Sequence, residues 1–157
     1  MTIPTDIIDG IKLIMSGDSG DVRTIPSGVF KYVSDDDDFD INLAVDDPRP
    51  YYIEIDEDEE GDSDLSGDYR HFSFDARLSV VYADKPHDRD GLESVMDRHR
   101  KYIRSALVWP RNWALVTGWT GCEMTFTRQA IGDETEDIII GRILVANMTI
   151  SYREDMS

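Results

Sequence analysis

The sequence predicts a single α+β domain on a largely antiparallel sheet. Three observations carry that expectation. Residues 72–82 and 144–152 alternate apolar and polar side chains with period two. Residues 5–16 and 89–108 repeat apolar side chains at the helical period. The elements run helix, short strands, acidic insertion, strand, helix, strand, strand, which is not the regular alternation of a parallel α/β protein. A length of 157 residues suits one domain, 1–157, and 40% hydrophobic residues can fill its core.

In the first helix Ile7, Ile8, Ile11, Ile14 and Met15 keep the helical spacing, Thr5 or Asp6 can cap it, and Gly17 can end it. Residues 16–21 form a loop by composition. Val22 to Val33 reads as a strand pair or one broken strand, interrupted by Pro26, with Gly28 to Val33 its better half. Ile41 to Val45 and Pro50 to Ile55 read as short strands; in the latter Tyr52 and Glu54 face one way and Tyr51, Ile53 and Ile55 the other.

Asp56 to Asp68 reads as a charged loop. Tyr69 to Tyr82 is the first strong strand, with Phe72, Phe74, Ala76, Leu78, Val80 and Tyr82 on one face. The second helix lines up Leu92, Val95, Met96, His99, Ile103, Ala106 and Leu107, and Pro110 stops it. Its apolar face should pack on the strand face carrying Phe72, Phe74, Leu78 and Val80. Trp113 to Thr117 and Trp119 to Arg128 read as β-type segments around Gly118 and Gly121, and residues 132–137 as a loop. Ile138 to Tyr152 reads as a long strand with Leu144, Ala146, Met148, Ile150 and Tyr152 on one face.

Charge is the most unusual feature. The net charge is −17, from 33 acidic and 16 basic residues. Residues 1–70 hold 20 of the acids, and residues 35–68 hold 16 acids against one base, Arg49. That segment, 35–68, reads as a solvated insertion, because unpaired carboxylates are costly to bury. The balance argues against a protein that grips nucleic acid or anionic membrane through a general basic surface. No run approaches 18 consecutive apolar residues, so no membrane span is expected, and Met1 to Asp6 lacks the basic start of a secretory signal. A single cysteine, Cys122, excludes an internal disulfide framework. The chain reads as a soluble, cytosolically made acidic domain.

Catalytic motifs are scarce, and no enzyme is expected. His99 lies on an apolar helix face and reads as a packed histidine; His71 starts a strand and His87 sits in a turn beside Asp88. There is no G-x-S-x-G elbow and no Gly-rich phosphate loop. Glu54-Ile55-Asp56 lacks the following lysine that a metal-dependent nuclease would want. Cys122 reads as a small, semi-buried apolar residue. Asp62, Asp64 and Ser66, followed by Gly67, start like a calcium loop, but Ser73 stands where an EF-hand needs its bidentate Glu. The segment starting at Asp56 fails likewise, with Gly67 at that position. A solvated loop is the better reading of both.

The second half carries a further pattern. A strand ending Arg77-Leu78-Ser79-Val80-Val81-Tyr82-Ala83 precedes the helix Leu92-Glu93-Ser94-Val95-Met96-Asp97. Two strands follow, the last running from Gly141 to Tyr152-Arg153-Glu154. Over residues 70–154 this resembles the tail terminator (tail completion) proteins of long-tailed bacteriophages and their head–tail joining relatives. Their elements run strand, helix, strand, strand and finish in an apolar strand followed by Tyr-Arg-Glu. The resemblance implies an α+β sheet with helices on one face, no cofactor and no catalytic residues. It also implies a virion protein of the tail or neck, assembled in the host cytoplasm. It would form a homomeric ring of six copies that caps the tail tube and meets neck or connector proteins, while DNA passes through its channel.

An acidic wall would keep a duplex from sticking over about a Debye length, ~8 Å at physiological salt. The channel-lining candidates are Asp35, Asp36, Asp37, Asp38, Asp56, Glu57, Asp58, Glu59 and Glu60, although the same residues could decorate the outside. The competing expectation is an acidic DNA-mimic inhibitor of a nucleic-acid enzyme, which would present the 16-acid segment at phosphate-like spacing.

Overall fold

Ile7, Ile11 and Ile14 recur at three- and four-residue spacing and are wholly buried; the segment around them is helix α1 (Ile3–Ser16). Gly17 ends it with φ +76°, where a Cβ would meet the Ile25 carbonyl oxygen at 2.6 Å. The structure is a computed structural model and describes residues 3–17, 25–33, 44, 46–59, 65–66, 69–83, 89–133 and 138–155. After α1 come β1 (Phe30–Tyr32), β2 (Arg49–Glu59), β3 (Leu65–Ser66) and β4 (Tyr69–Ala83). Helices α2 (Arg89–Leu107) and α3 (Pro110–Trp113) precede the last two strands, β5 (Trp119–Asp133) and β6 (Ile138–Asp155).

The fold is α+β, with a largely antiparallel sheet. Strand order is β1-β2-β4-β6-β5, with β3 pairing β4 as a short flap. Among the described strands only β1 and β2 run parallel. The central pair, β4 and β6, stays in unbroken register from Tyr69↔Asp155 to Ala83↔Gly141. Because the side-chain period is two, this register sets Phe74, Ala76, Leu78 and Val80 beside Ile150, Met148, Ala146 and Leu144 on one face. All eight are buried. That face meets Ile7, Ile11 and Ile14 of α1 and Met96, Ile103 and Leu107 of α2 in one apolar cluster. Each such side chain taken from water contributes about 1.5–3 kcal/mol.

Several boundaries differ from expectation. The charged segment is not all loop: β2 continues through Glu59, with Asp58↔Phe74 and Glu59↔Ser73 in register, and Leu65–Ser66 pairs back onto β4. Backbone pairing with β4 wins there over side-chain charge. α2 ends at Leu107, before Pro110 as expected, but Pro110 then takes the first turn of a separate helix, α3, where its missing N–H costs nothing. Trp113 to Thr117 is accordingly not a strand. Asn112 Nδ2 donates to Ala106 O and Trp113 Nε1 to Leu107 O, both at 2.7 Å, so α3 caps the last carbonyls of α2. β5 extends beyond Arg128 to Asp133.

The strand expected at Ile41 to Val45 lies outside the described residues except for Ala44, which is buried and not in a strand. Of the expected strand pair, Val22 to Thr24 lie outside them and Phe30–Tyr32 is β1. Among the described residues no helix is long and apolar enough to cross a membrane.

Candidate functional site

Among the described residues the helices cover one face of the sheet, so its other face is where surface chemistry can be built. Alternation along β4, β6 and β5 puts Asp75 and Arg77, Asn147 and Thr149, and Glu123 and Thr125 on that second face. The register aligns them in two rows. One row reads Glu54, Arg77, Asn147, Thr125; the next reads Asp75, Thr149, Glu123. All of these but Glu54 line a shallow groove of about 460 Å³, together with Asp56. Farther along the same face Ser79, Val81 and Val145 are buried, so the groove occupies one end of the face.

The groove's polar groups largely satisfy one another. Arg77 Nη2 donates to Glu54 Oε2 at 2.9 Å and to Asp56 Oδ1 at 3.1 Å. Thr149 Oγ1 donates to Asp75 Oδ1 at 3.0 Å, and Asn147 Nδ2 to Thr127 Oγ1 at 3.2 Å. Four carboxylates, Glu54, Asp56, Asp75 and Glu123, face one guanidinium, and that guanidinium already bridges two of them. Within the groove the one guanidinium is thus already engaged, and the excess charge is negative.

A second polar cluster lies inside. Tyr82 of β4 and His99 of α2 meet in the core, hydroxyl to Nδ1 at 2.7 Å. On the other side of the ring, Nε2 lies 3.6 Å from Asp47 Oδ1. Arg49, at the start of β2, donates from Nε to Asp47 Oδ1 at 3.0 Å and from Nη1 to the Ala44 carbonyl, and lies over the Tyr82 ring. Phe30 approaches the imidazole edge-on, with centroids 4.9 Å apart. With a carboxylate beyond Nε2, the tautomer carrying its proton on Nε2 is favoured, so the Tyr82 hydroxyl donates to Nδ1. Burial holds the imidazole down to about 4, against a smaller opposing pull from Asp47. His99 is wholly enclosed, so a substrate in solvent cannot reach the ring. The cluster ties the entry of β2 onto α2 and β4, and its work is structural.

No protein-family model and no curated protein matches this chain.

Of the channel-lining candidates, Asp56 stands in the groove. Glu57, Asp58 and Glu59 lie on β2, described by their backbone alone. Asp35, Asp36, Asp37, Asp38 and Glu60 lie outside the described residues. So do the calcium candidates Asp62 and Asp64, whereas Ser66 belongs to β3 opposite Tyr69. Among the described residues no cluster of three or more histidine, cysteine or acidic side chains is arranged to hold a metal. Cys122 is buried among apolar neighbours, which pushes its thiol up to about 12 and leaves it protonated at neutral pH. His71 starts β4 opposite Arg153, and His87 lies outside the described residues.

Sequence reasoning missed the Asp47–Arg49–His99–Tyr82 cluster. One signal pointed to it: Arg49 is the only base among residues 35–68. A lone guanidinium inside an acidic run has reason to be held.

Proposed function

We propose that the chain is a structural virion protein of the tail-terminator kind, joining copies of itself into a ring that caps a tail tube beneath the neck. The observation that carries the reading is the one-sided sheet. Helices cover one face, and the other presents Glu54, Asp56, Asp75 and Glu123 around an Arg77 that is already bridged. Turned toward a channel, that face lets a duplex slide without ion-pairing to the wall, because every basic contact would bind phosphate through counterion release. The helix-covered face would then point outward. No catalytic step is part of the function.

Electron microscopy of tails labelled for this chain tests the reading. The expected result is a six-membered ring with an open centre, located at the head-proximal end of the tail. A chain that stays monomeric on the tail, or is missing from the particle, overturns it. So does duplex binding by the purified protein that strengthens as salt is lowered.

One observation favours a second reading, the acidic DNA mimic. Residues 56–59 belong to a strand paired with β4 rather than to a flexible loop, so the acids there have a fixed spacing. A mimic would co-purify as a monomer or dimer with a basic nucleic-acid enzyme and release it on addition of DNA.

A further inference from the structure

The two edges of the sheet are treated very differently by the sequence. At one edge β1 shields Arg49 to Tyr51 of β2, and beyond it come a register break between Ile55 and Asp58 and the acids Glu54 and Asp56 to Glu59. Short strands, bulges and charges are the usual guards against edge pairing. At the other edge β5 runs for 15 residues and, among the described residues, pairs only with β6. Between Trp119 and Gly132 it has no proline and no lysine, and its charges are one acid, Glu123, and one base, Arg128.

The direction of its free backbone groups follows from the ladder. Arg153 N–H donates to Gly118 O, so the odd positions of β6 turn their backbone groups toward β5. Past the register shift at Gly121, the odd positions of β5 answer them. Met124, Phe126 and Arg128 therefore turn N–H and C=O outward. The Met124 and Phe126 side chains lie on the helix-covered face and are only partly buried there, while Thr125 and Thr127 are exposed on the other.

We propose that β5 pairs, antiparallel and edge to edge, with β5 of a second copy of this chain, about a two-fold axis at Phe126. In that register Thr125 stands opposite the partner's Thr127, Met124 opposite the partner's Arg128, and Glu123 opposite the partner's Gln129. No like charges oppose one another, and threonine and aromatic pairs are favourable cross-strand neighbours. Charge leaves a second copy an approach at this edge: two chains of net −17 repel one another as wholes, and β5 from Trp119 to Gly132 is a strip of zero net charge. A two-fold contact makes a pair and stops, whereas a six-fold ring needs a contact that propagates. The inference is therefore independent of the ring reading.

Sedimentation of the full chain across a wide concentration range tests it, together with hydrogen exchange. The expected result is a monomer–dimer equilibrium in which the amides of Met124, Phe126 and Arg128 gain protection as the dimer fills. The double variant Thr125→Glu/Thr127→Glu places carboxylates opposite each other on exposed positions. It should weaken the dimer about tenfold or more at unchanged helix and strand content. Met124→Pro removes one outward N–H without touching the β5–β6 ladder and should act the same way. A monomer at every concentration overturns the proposal. A dimer that the double-glutamate variant leaves intact overturns it too, whether or not Met124→Pro folds.

Discussion

The Tyr82 hydroxyl and His99 Nδ1 lie 2.7 Å apart, with both side chains fully buried. This contact joins β4 to α2 across the core. Its neighbours Asp47 and Arg49 bring in the start of β2, so one polar cluster ties three elements together. Burial raises the Tyr82 hydroxyl well above its ordinary range and lowers His99 to about 4.

Acid should therefore loosen the fold through His99. Its imidazole is neutral when folded and takes a proton readily when unfolded, near pH 6.5. Between about pH 6.5 and 4 the unfolded chain binds more protons, so stability falls as pH falls through that window. The full loss is roughly 3 kcal/mol. Urea unfolding at pH 7, 5.5 and 4, compared with His99→Leu, isolates this effect from that of the acids. An equal slope in both proteins would refute it.

Leu107→Ala should cost about 2–5 kcal/mol, because Leu107 is fully buried in the cluster between α2 and the sheet. Thermal or urea unfolding measures it. A near-zero cost would mean that the site collapses around the smaller side chain.

Gly118→Ala should cost about 1–3 kcal/mol. Gly118 has φ +95°, and a Cβ there would stand 2.7 Å from the Arg153 carbonyl oxygen. The same backbone accepts a hydrogen bond from Arg153 N at 2.8 Å, so the strand cannot simply move away. A melting temperature unchanged from the parent would contradict the close approach.

Arg128→Ala should cost no more than about 1 kcal/mol, although Arg128 pairs with both Glu93 and Asp97 of α2. The three side chains are each at least 36% exposed, and solvent screens them. Raising salt should reduce the difference between parent and variant.

Deleting residues 57–66 should lower stability by about 2 kcal/mol or more. The deletion removes the Asp58↔Phe74 and Glu59↔Ser73 pairs and all of β3. Urea unfolding would show it, and a change within about 0.5 kcal/mol would mean that those pairs contribute little.

The sequence announced the parts of the fold whose signal is periodic. Phe72 to Tyr82 and Leu144 to Tyr152 could be placed on their faces because a half-buried strand writes its two faces into alternate letters. Leu92 to Leu107 was legible for the analogous reason at period 3.6. Asp58 and Glu59 were not legible as strand, since their charge resembles a loop and their pairing with Phe74 and Ser73 is a backbone matter. Trp113 looked like a strand residue because it is aromatic, but its indole N–H is used to cap α2. The groove was half legible. Alternation put Asp75 and Arg77 on the second face, but only the register aligns them with Asn147 and Glu123. The cluster around His99 joins positions 47, 49, 82 and 99, and no local pattern spans such distances.

The place of β6 in the sheet has a consequence for how the protein is made. β4 and β5 share no edge; β6 lies between them and pairs with both. It is also the last of these elements to leave the ribosome. Until then β4 exposes one long unpaired side, β5 exposes two, and the apolar face beneath α1 and α2 is incomplete. The middle of the sheet is thus laid down after its flanks, and its pairing with β4 joins residues from 58 (Ala83↔Gly141) to 86 (Tyr69↔Asp155) positions apart, which favours slow folding and exposure to aggregation during synthesis. A chain interrupted before Ile138 would carry all three described helices and most of the strands, yet lack the one strand that joins β4 and β5 in a single sheet.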